Sequence, residues 1–289
     1  MTMKLSLTPK RQLVLYLCFL AIFFFFALLV NFFVLRGGYT TSAARLTTVT
    51  TDILVFVMPV VATLLMVGGN PFAYVGLKEK TTIAVFLLTI LVVIVQIPAM
   101  NAVVALNEMI PFPDAIVETE MRAKDTTDLL FGDYSWTDFV ITFIVVGLIA
   151  PFTEEFLFRG FLTRLISRRF RAHATIWIVA AIFSFIHFQF LGFIPRMLLG
   201  ALFGYMAWWS GTLWTAVLAH VVNNTLVIIA SFIVHYYGND ELNTIGTQLS
   251  LVDVGFIVVS AVAFYFLLRL YRREALRPRR AYVTDATSE

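Results

Sequence analysis

The sequence predicts an all-α fold, a polytopic membrane helix bundle of about eight transmembrane helices. Three observations carry this. Sixty per cent of the 289 residues are hydrophobic and only 13% are charged, where a soluble domain carries about 25% charged residues. Mean hydropathy is +0.88. Long apolar runs, each of a length suited to a ~30 Å hydrocarbon core, recur along the chain. These runs are continuous rather than alternating, so helices rather than barrel strands satisfy the backbone in lipid.

The runs fall near 12–36, 52–68, 82–104, 137–165, 173–190, 192–209, 213–235 and 253–271. The first follows a basic start, but Leu13 to Leu35 exceeds a signal-peptide core of roughly 7–15 residues, so a retained first helix is expected. Lys4, Lys10 and Arg11 precede the first run, and Lys78 and Lys80 lie between the second and third. Arg164, Arg168, Arg169 and Arg171 separate the fourth and fifth, and Arg269, Arg272, Arg273, Arg277, Arg279 and Arg280 follow the eighth. Eight spans put all four clusters on one side, which the positive-inside rule makes cytoplasmic together with both termini. The facing 105–135 loop carries Glu108, Asp114, Glu118, Glu120, Asp125, Asp128 and Asp133 against Arg122 and Lys124. Three units are expected: residues 1–135 with three helices and the acidic loop, a core at 136–235, and 236–289 with the last helix and a basic tail. The net charge of +3 is confined to these flanks, which suits anionic lipid and not nucleic acid. The single cysteine, Cys18, excludes a disulfide framework and a Cys-based metal site.

Ionisable groups at membrane depth cost roughly 2.5–3.5 kcal/mol each on insertion, so they are functional by default. Glu154, Glu155 and Arg159 lie in the fourth run, His187 ends the fifth, and His220 and Asn224 lie in the seventh. Glu155 and Arg159 stand at i and i+4 and can pair. Glu154 is turned about 140° from Arg159 and has no such cation. A carboxyl left alone in apolar surroundings is suited to exchange a proton near neutral pH, as a general base must. Pro151 removes a backbone donor just upstream and frees a carbonyl. Counting residues from the turn near 170 and 171 puts Glu154 level with His187, both ~24 Å along their helices. His220 and Asn224, again i and i+4, share a face, while Asn223 is about 100° from Asn224 and receives no role. The alternatives at these positions are a snorkelling cluster at a helix end, a structural histidine, and a His–Asn hydrogen bond between packed helices.

These residues resemble the three signature motifs of the CAAX protease and bacteriocin-processing family, also called the Abi family. Glu154, Glu155 and Arg159 match Glu-Glu-x-x-x-Arg; Phe183 and His187 match Phe-x-x-x-His; His220 and Asn224 match His-x-x-x-Asn. The resemblance implies an intramembrane endopeptidase in which Glu154 and His187 activate water, Glu155 held by Arg159 supports them, and His220 and Asn224 donate to the oxyanion. A pocket open to the cytosol is expected. A metal-free mechanism is favoured, with Zn²⁺ on Glu154, His187 and His220 as the other possibility and Glu155 as a lesser ligand. The implied partner is a membrane-associated peptide or protein, whether a prenylated CAAX peptide, a bacteriocin or pheromone precursor or a membrane-protein segment, in a multi-pass protein of a prokaryotic plasma membrane. Two other classes stand beside this one: a proton-coupled transporter, since carboxylates and histidines at membrane depth also make proton relays, and a non-catalytic scaffold.

Overall fold

The computed structural model describes residues 7–238 and 251–285; part of the expected C-terminal unit, at 239–250 and beyond 285, lies outside the described residues. Among the described residues ten longer helices form the bundle, with a short helix at Pro71–Tyr74, and no strand occurs. Helix α1, Pro9–Leu35, starts where Thr8 Oγ1 accepts from Arg11 N at 3.4 Å and Pro9 fits the first turn. Helix α2 is Thr41–Met66 and contains a π turn at Asp52–Val57. Helices α3, Ile83–Val95, and α4, Ile97–Glu108, meet at a 43° bend, where Pro98 cannot continue the ladder. Helix α5 is Asp114–Phe131. Helix α6, Trp136–Ile166, begins with a capping box in which Ser135 and Asp138 satisfy each other's backbone amides. Helix α7 is Ala172–Phe185, α8 Phe193–Ser210, α9 Trp214–Tyr237 and α10 Leu251–Asp285.

Among the described residues, five helices, α1, α2, α6, α9 and α10, are long and apolar enough to cross a bilayer, or six spans with the bent α3–α4 pair. Eight runs led to an expectation of about eight, and the difference lies mainly in α7 and α8. Apolar content up to 190 suggests one long helix, but α7 ends at Phe185 after 14 residues. That is ~21 Å of helix, short of a ~30 Å core. Phe188 (φ 52°) then turns the chain, and α8 returns carrying Arg196. Hydropathy cannot separate a spanning helix from a short one whose apolar surface is covered by protein. The acidic 105–135 segment, expected as a loop, is mostly the end of α4 and the amphipathic α5.

The described members of the basic clusters share one end of the bundle. Arg168 Nη1 donates to Gln12 Oε1 at 3.0 Å, and Nη2 to the Tyr74 hydroxyl at 3.4 Å. Leu213 N donates to Gly76 O at 3.2 Å, and Trp214 Nε1 to Leu77 O at 3.0 Å. Arg272 sits over Trp209, 5.6 Å from its ring centre. At the opposite, acidic end, Arg45 of α2 donates to Leu130 O, to Asp138 Oδ1 and to Thr142 Oγ1 at 2.9, 2.9 and 3.2 Å. This clamp joins α2 to the end of α5 and the start of α6. Between the ends, Phe156, Phe158 and Phe161 of α6 are buried against Val60 and Leu64 of α2, Val179 and Phe183 of α7, and Leu213 and Val217. Gly160 is part of that seam: a Cβ there would stand 2.7 Å from Val75 Cβ.

Candidate active site

Helix α6 carries the first three polar residues, and its backbone is irregular on both sides of them. π turns at Phe143–Ile149 and Phe156–Leu162 flank the α-helical stretch Ala150–Glu155. Such turns offset carbonyls from the regular ladder and recur at functional sites. In the first of them Ala150 N bonds to Val145 O, five residues back. The next carbonyl in that register, Val146 O, would fall to the amide of residue 151. Residue 151 is proline and has no hydrogen. Asn224 fills the gap: its Nδ2 donates to Val146 O at 2.9 Å across the α6–α9 contact.

Glu155 and Arg159 are buried, with side chains 0% and 1% exposed, and pair at 2.6 Å through Glu155 Oε1 and Arg159 Nη1. Arg159 Nη2 donates to Gly200 O at 2.8 Å, and its guanidinium lies 4.6 Å from the centre of the Phe183 ring. Gly200 permits this approach, since a Cβ there would lie 3.2 Å from both Arg159 Nη2 and Phe183 Cδ1. The same Glu155 Oε1 takes His220 Nδ1 at 2.9 Å. Phe183 touches both histidine rings edge-on, at 5.0 Å from His187 and 6.0 Å from His220. The aromatic ring of the second motif thus packs against the arginine of the first and the imidazoles of the second and third.

Glu154 stands outside that ion pair and faces both histidines. His187 Nε2 is 3.9 Å from Glu154 Oε1, and His220 Nε2 is 3.8 Å from Glu154 Oε2. Both gaps are too long for a direct hydrogen bond and suit a bridging water. His187 Nδ1 lies 2.7 Å from Phe183 O. A carbonyl only accepts, so Nδ1 carries the hydrogen there and a neutral ring turns the lone pair of Nε2 towards Glu154.

These groups line a cavity of about 510 Å³ bounded by Glu154, Phe183, His187, Phe203, His220, Asn223 and Asn224. Its rim is built by Glu108 of α4, Glu120 of α5 and Arg196 of α8. Asn107 Nδ2 donates to Leu191 O, and Leu191 N donates to Glu120 Oε2 at 3.4 Å. The cavity therefore faces the acidic end of the bundle, whereas sequence analysis opens it towards the basic, cytoplasmic side. Counting from the basic turn gives depth along a helix but says nothing of which loops close over it.

From sequence Asn223 receives no role, and Arg196 and Asp52 carry no local signal of one. Asn223 lines the cavity, and its offset from His220 is i+3, a same-face spacing that could have found it. Asp52 begins an apolar run and reads there as a boundary. It is 8% exposed, its Oδ2 has no hydrogen-bond partner among the described residues, and its π turn packs on the part of α6 that holds Glu154. For Zn²⁺, the expected ligands are wider apart than its shell. Donors 2.0–2.1 Å from zinc in a tetrahedron are about 3.3 Å apart, against 3.8 and 3.9 Å here. Among the described residues no group of three His, Cys, Asp or Glu side chains is arranged to hold a metal ion.

Comparison with known proteins gives one family. Residues 136–226 match the type II CAAX prenyl endopeptidase Rce1-like family. No curated protein and no solved structure matches the chain. The matched stretch contains all seven residues of the three motifs, and Asn223 as well. Residues 136–226 are thus a domain of the Rce1-like CAAX protease family.

Proposed function

We propose that this protein is an intramembrane endopeptidase that hydrolyses a peptide bond of a membrane-associated substrate with a water activated by Glu154. The observation that carries this reading is the convergence of His187 Nε2 and His220 Nε2 on the two oxygens of Glu154, each at a water-bridged distance, in a cavity lined by both polar and apolar groups. The water sits between Glu154 and the acceptor nitrogen of His187. As its oxygen bonds to the scissile carbon, its proton passes to Glu154. The tetrahedral intermediate collapses when that proton is delivered to the leaving nitrogen, directly or through His220 Nε2, and the C–N bond breaks. Glu155 and Arg159 hold the His220 ring by Nδ1. His220 and Asn224 close the site on the α9 side, where the oxyanion forms.

No step here passes through a metal ion. A proton-coupled transporter would use the same carboxylate and imidazoles, but a water-sized gap between a base and two oriented imidazoles suits hydrolysis as well as relay, and the family of residues 136–226 is one of peptidases. The substrate to try first is a prenylated CAAX peptide. The basic end is placed in the cytoplasm.

The test is cleavage by purified protein in liposomes of a peptide bearing a farnesylated cysteine three residues from a free carboxy-terminus, followed by mass spectrometry. Wild type should release the tripeptide, and Glu154→Gln should lose at least about a hundredfold in kcat, in the range of general-base contributions. Equal rates for both would remove Glu154 from the chemistry.

A further inference from the structure

Helix α9 presents three polar side chains to the site, His220, Asn223 and Asn224. At 100° per residue, Asn223 lies about 60° to one side of His220 and Asn224 about 40° to the other. Both asparagines line the cavity, but their amides are engaged differently. Asn224 is used at both ends. Its Nδ2 donates to Val146 O at 2.9 Å, the carbonyl that Pro151 leaves without a backbone donor. Its Oδ1 accepts from Asn223 Nδ2 at 3.3 Å. That second bond fixes the Asn223 amide and leaves its other N–H directed elsewhere.

The cavity needs such a donor. Glu154 contributes acceptor oxygens, and His187 and His220 each contribute an acceptor Nε2, since their Nδ1–H groups are held by Phe183 O and Glu155 Oε1. Acceptors of this kind hold a water and take its proton, but a tetrahedral oxyanion is stabilised by N–H groups aimed at it. We infer that the second amide hydrogen of Asn223 is the oxyanion donor and that Asn224 is a positioning residue, which orients Asn223 while it satisfies Val146 O. This rests on the endopeptidase reading above. The Pro151 gap, the Asn224 bond across it and the Asn223 amide form one chain of cause: a proline in a π register calls for a side-chain donor, and the donor that answers then orients its neighbour.

The experiment uses the full chain in liposomes with the farnesylated peptide above. Asn223→Ala and Asn223→Leu are compared with wild type for kcat, KM and melting temperature. Loss of one oxyanion donor should lower kcat by about 10²–10³-fold, with KM within about twofold and the melting temperature kept. Asn224→Ala should instead lower the melting temperature together with kcat, because it leaves Val146 O unsatisfied. Full kcat in either folded Asn223 variant overturns the assignment, as does an Asn224→Ala protein that melts like wild type yet loses kcat. Wild type and Glu154→Gln cleaving equally would instead sink the endopeptidase reading, and the two failures are told apart by that control.

Discussion

Arg159 has a demanding position: its side chain is 1% exposed and its terminal nitrogens serve Glu155 and Gly200 O. Replacing one partner of a buried ion pair leaves the other charge uncompensated, a loss of about 3–5 kcal/mol. Arg159→Met should therefore lower stability by that amount, read as a shifted denaturation midpoint in detergent, whereas Glu154→Gln should leave the midpoint near wild type. A midpoint unchanged in Arg159→Met would mean that the pair does not hold the fold. This pairing was legible in the sequence, because i,i+4 spacing alone brings Glu155 to Arg159. What the sequence withheld at this scale was the third party. Gly200 lies 41 residues away, and nothing local marks a glycine whose missing Cβ makes room for a guanidinium. Asn223 was hidden for another reason: its angle matters relative to His220, and measured from Asn224 it points away.

The helices that hold the site owe their shape to local backbone faults. Pro151 was legible as a lost donor and a freed carbonyl; that the carbonyl is Val146 O, and that Asn224 answers it, depends on the π register of Phe143–Ile149, which apolar pattern does not encode. This dependence can be measured. Pro151→Ala returns an N–H that can reach Val146 O, so it should relieve part of the stability lost in Asn224→Ala. A double-mutant cycle on melting free energy should show a coupling of about 0.5–3 kcal/mol. Additive effects would separate the two residues. The same scale explains the miscounted spans. Residues 173–209 are mostly apolar, yet α7 stops at Phe185, and in the 186–192 turn that follows the backbone groups of Leu191 are satisfied by Asn107 and Glu120 without lipid.

At the scale of the molecule, charge divides the bundle into a basic end and an acidic end, and the cluster positions were readable as soon as the spans were. The proposed orientation, basic end cytoplasmic, is tested by membrane-impermeant thiol reagents added to intact cells, which should label a Thr119→Cys protein and spare Ser167→Cys. Both substitutions are made in a Cys18→Ser background, because the native thiol is exposed. The reverse pattern would invert the topology. Sequence alone could not say towards which end the cavity faces, because its rim comes from α4, α5 and α8, brought together across the fold.

Leu191 is held by both of its backbone groups, one to Asn107 and the other to Glu120. Those two anchors precede residue 136, whereas the groups assigned to bond-making follow it. The anchors of Leu191 and the groups assigned to bond-making thereby lie in separate stretches of the chain. A substitution at Asn107 or Glu120 thus reaches the cavity lining through Leu191 while leaving Glu154, His187 and His220 in place.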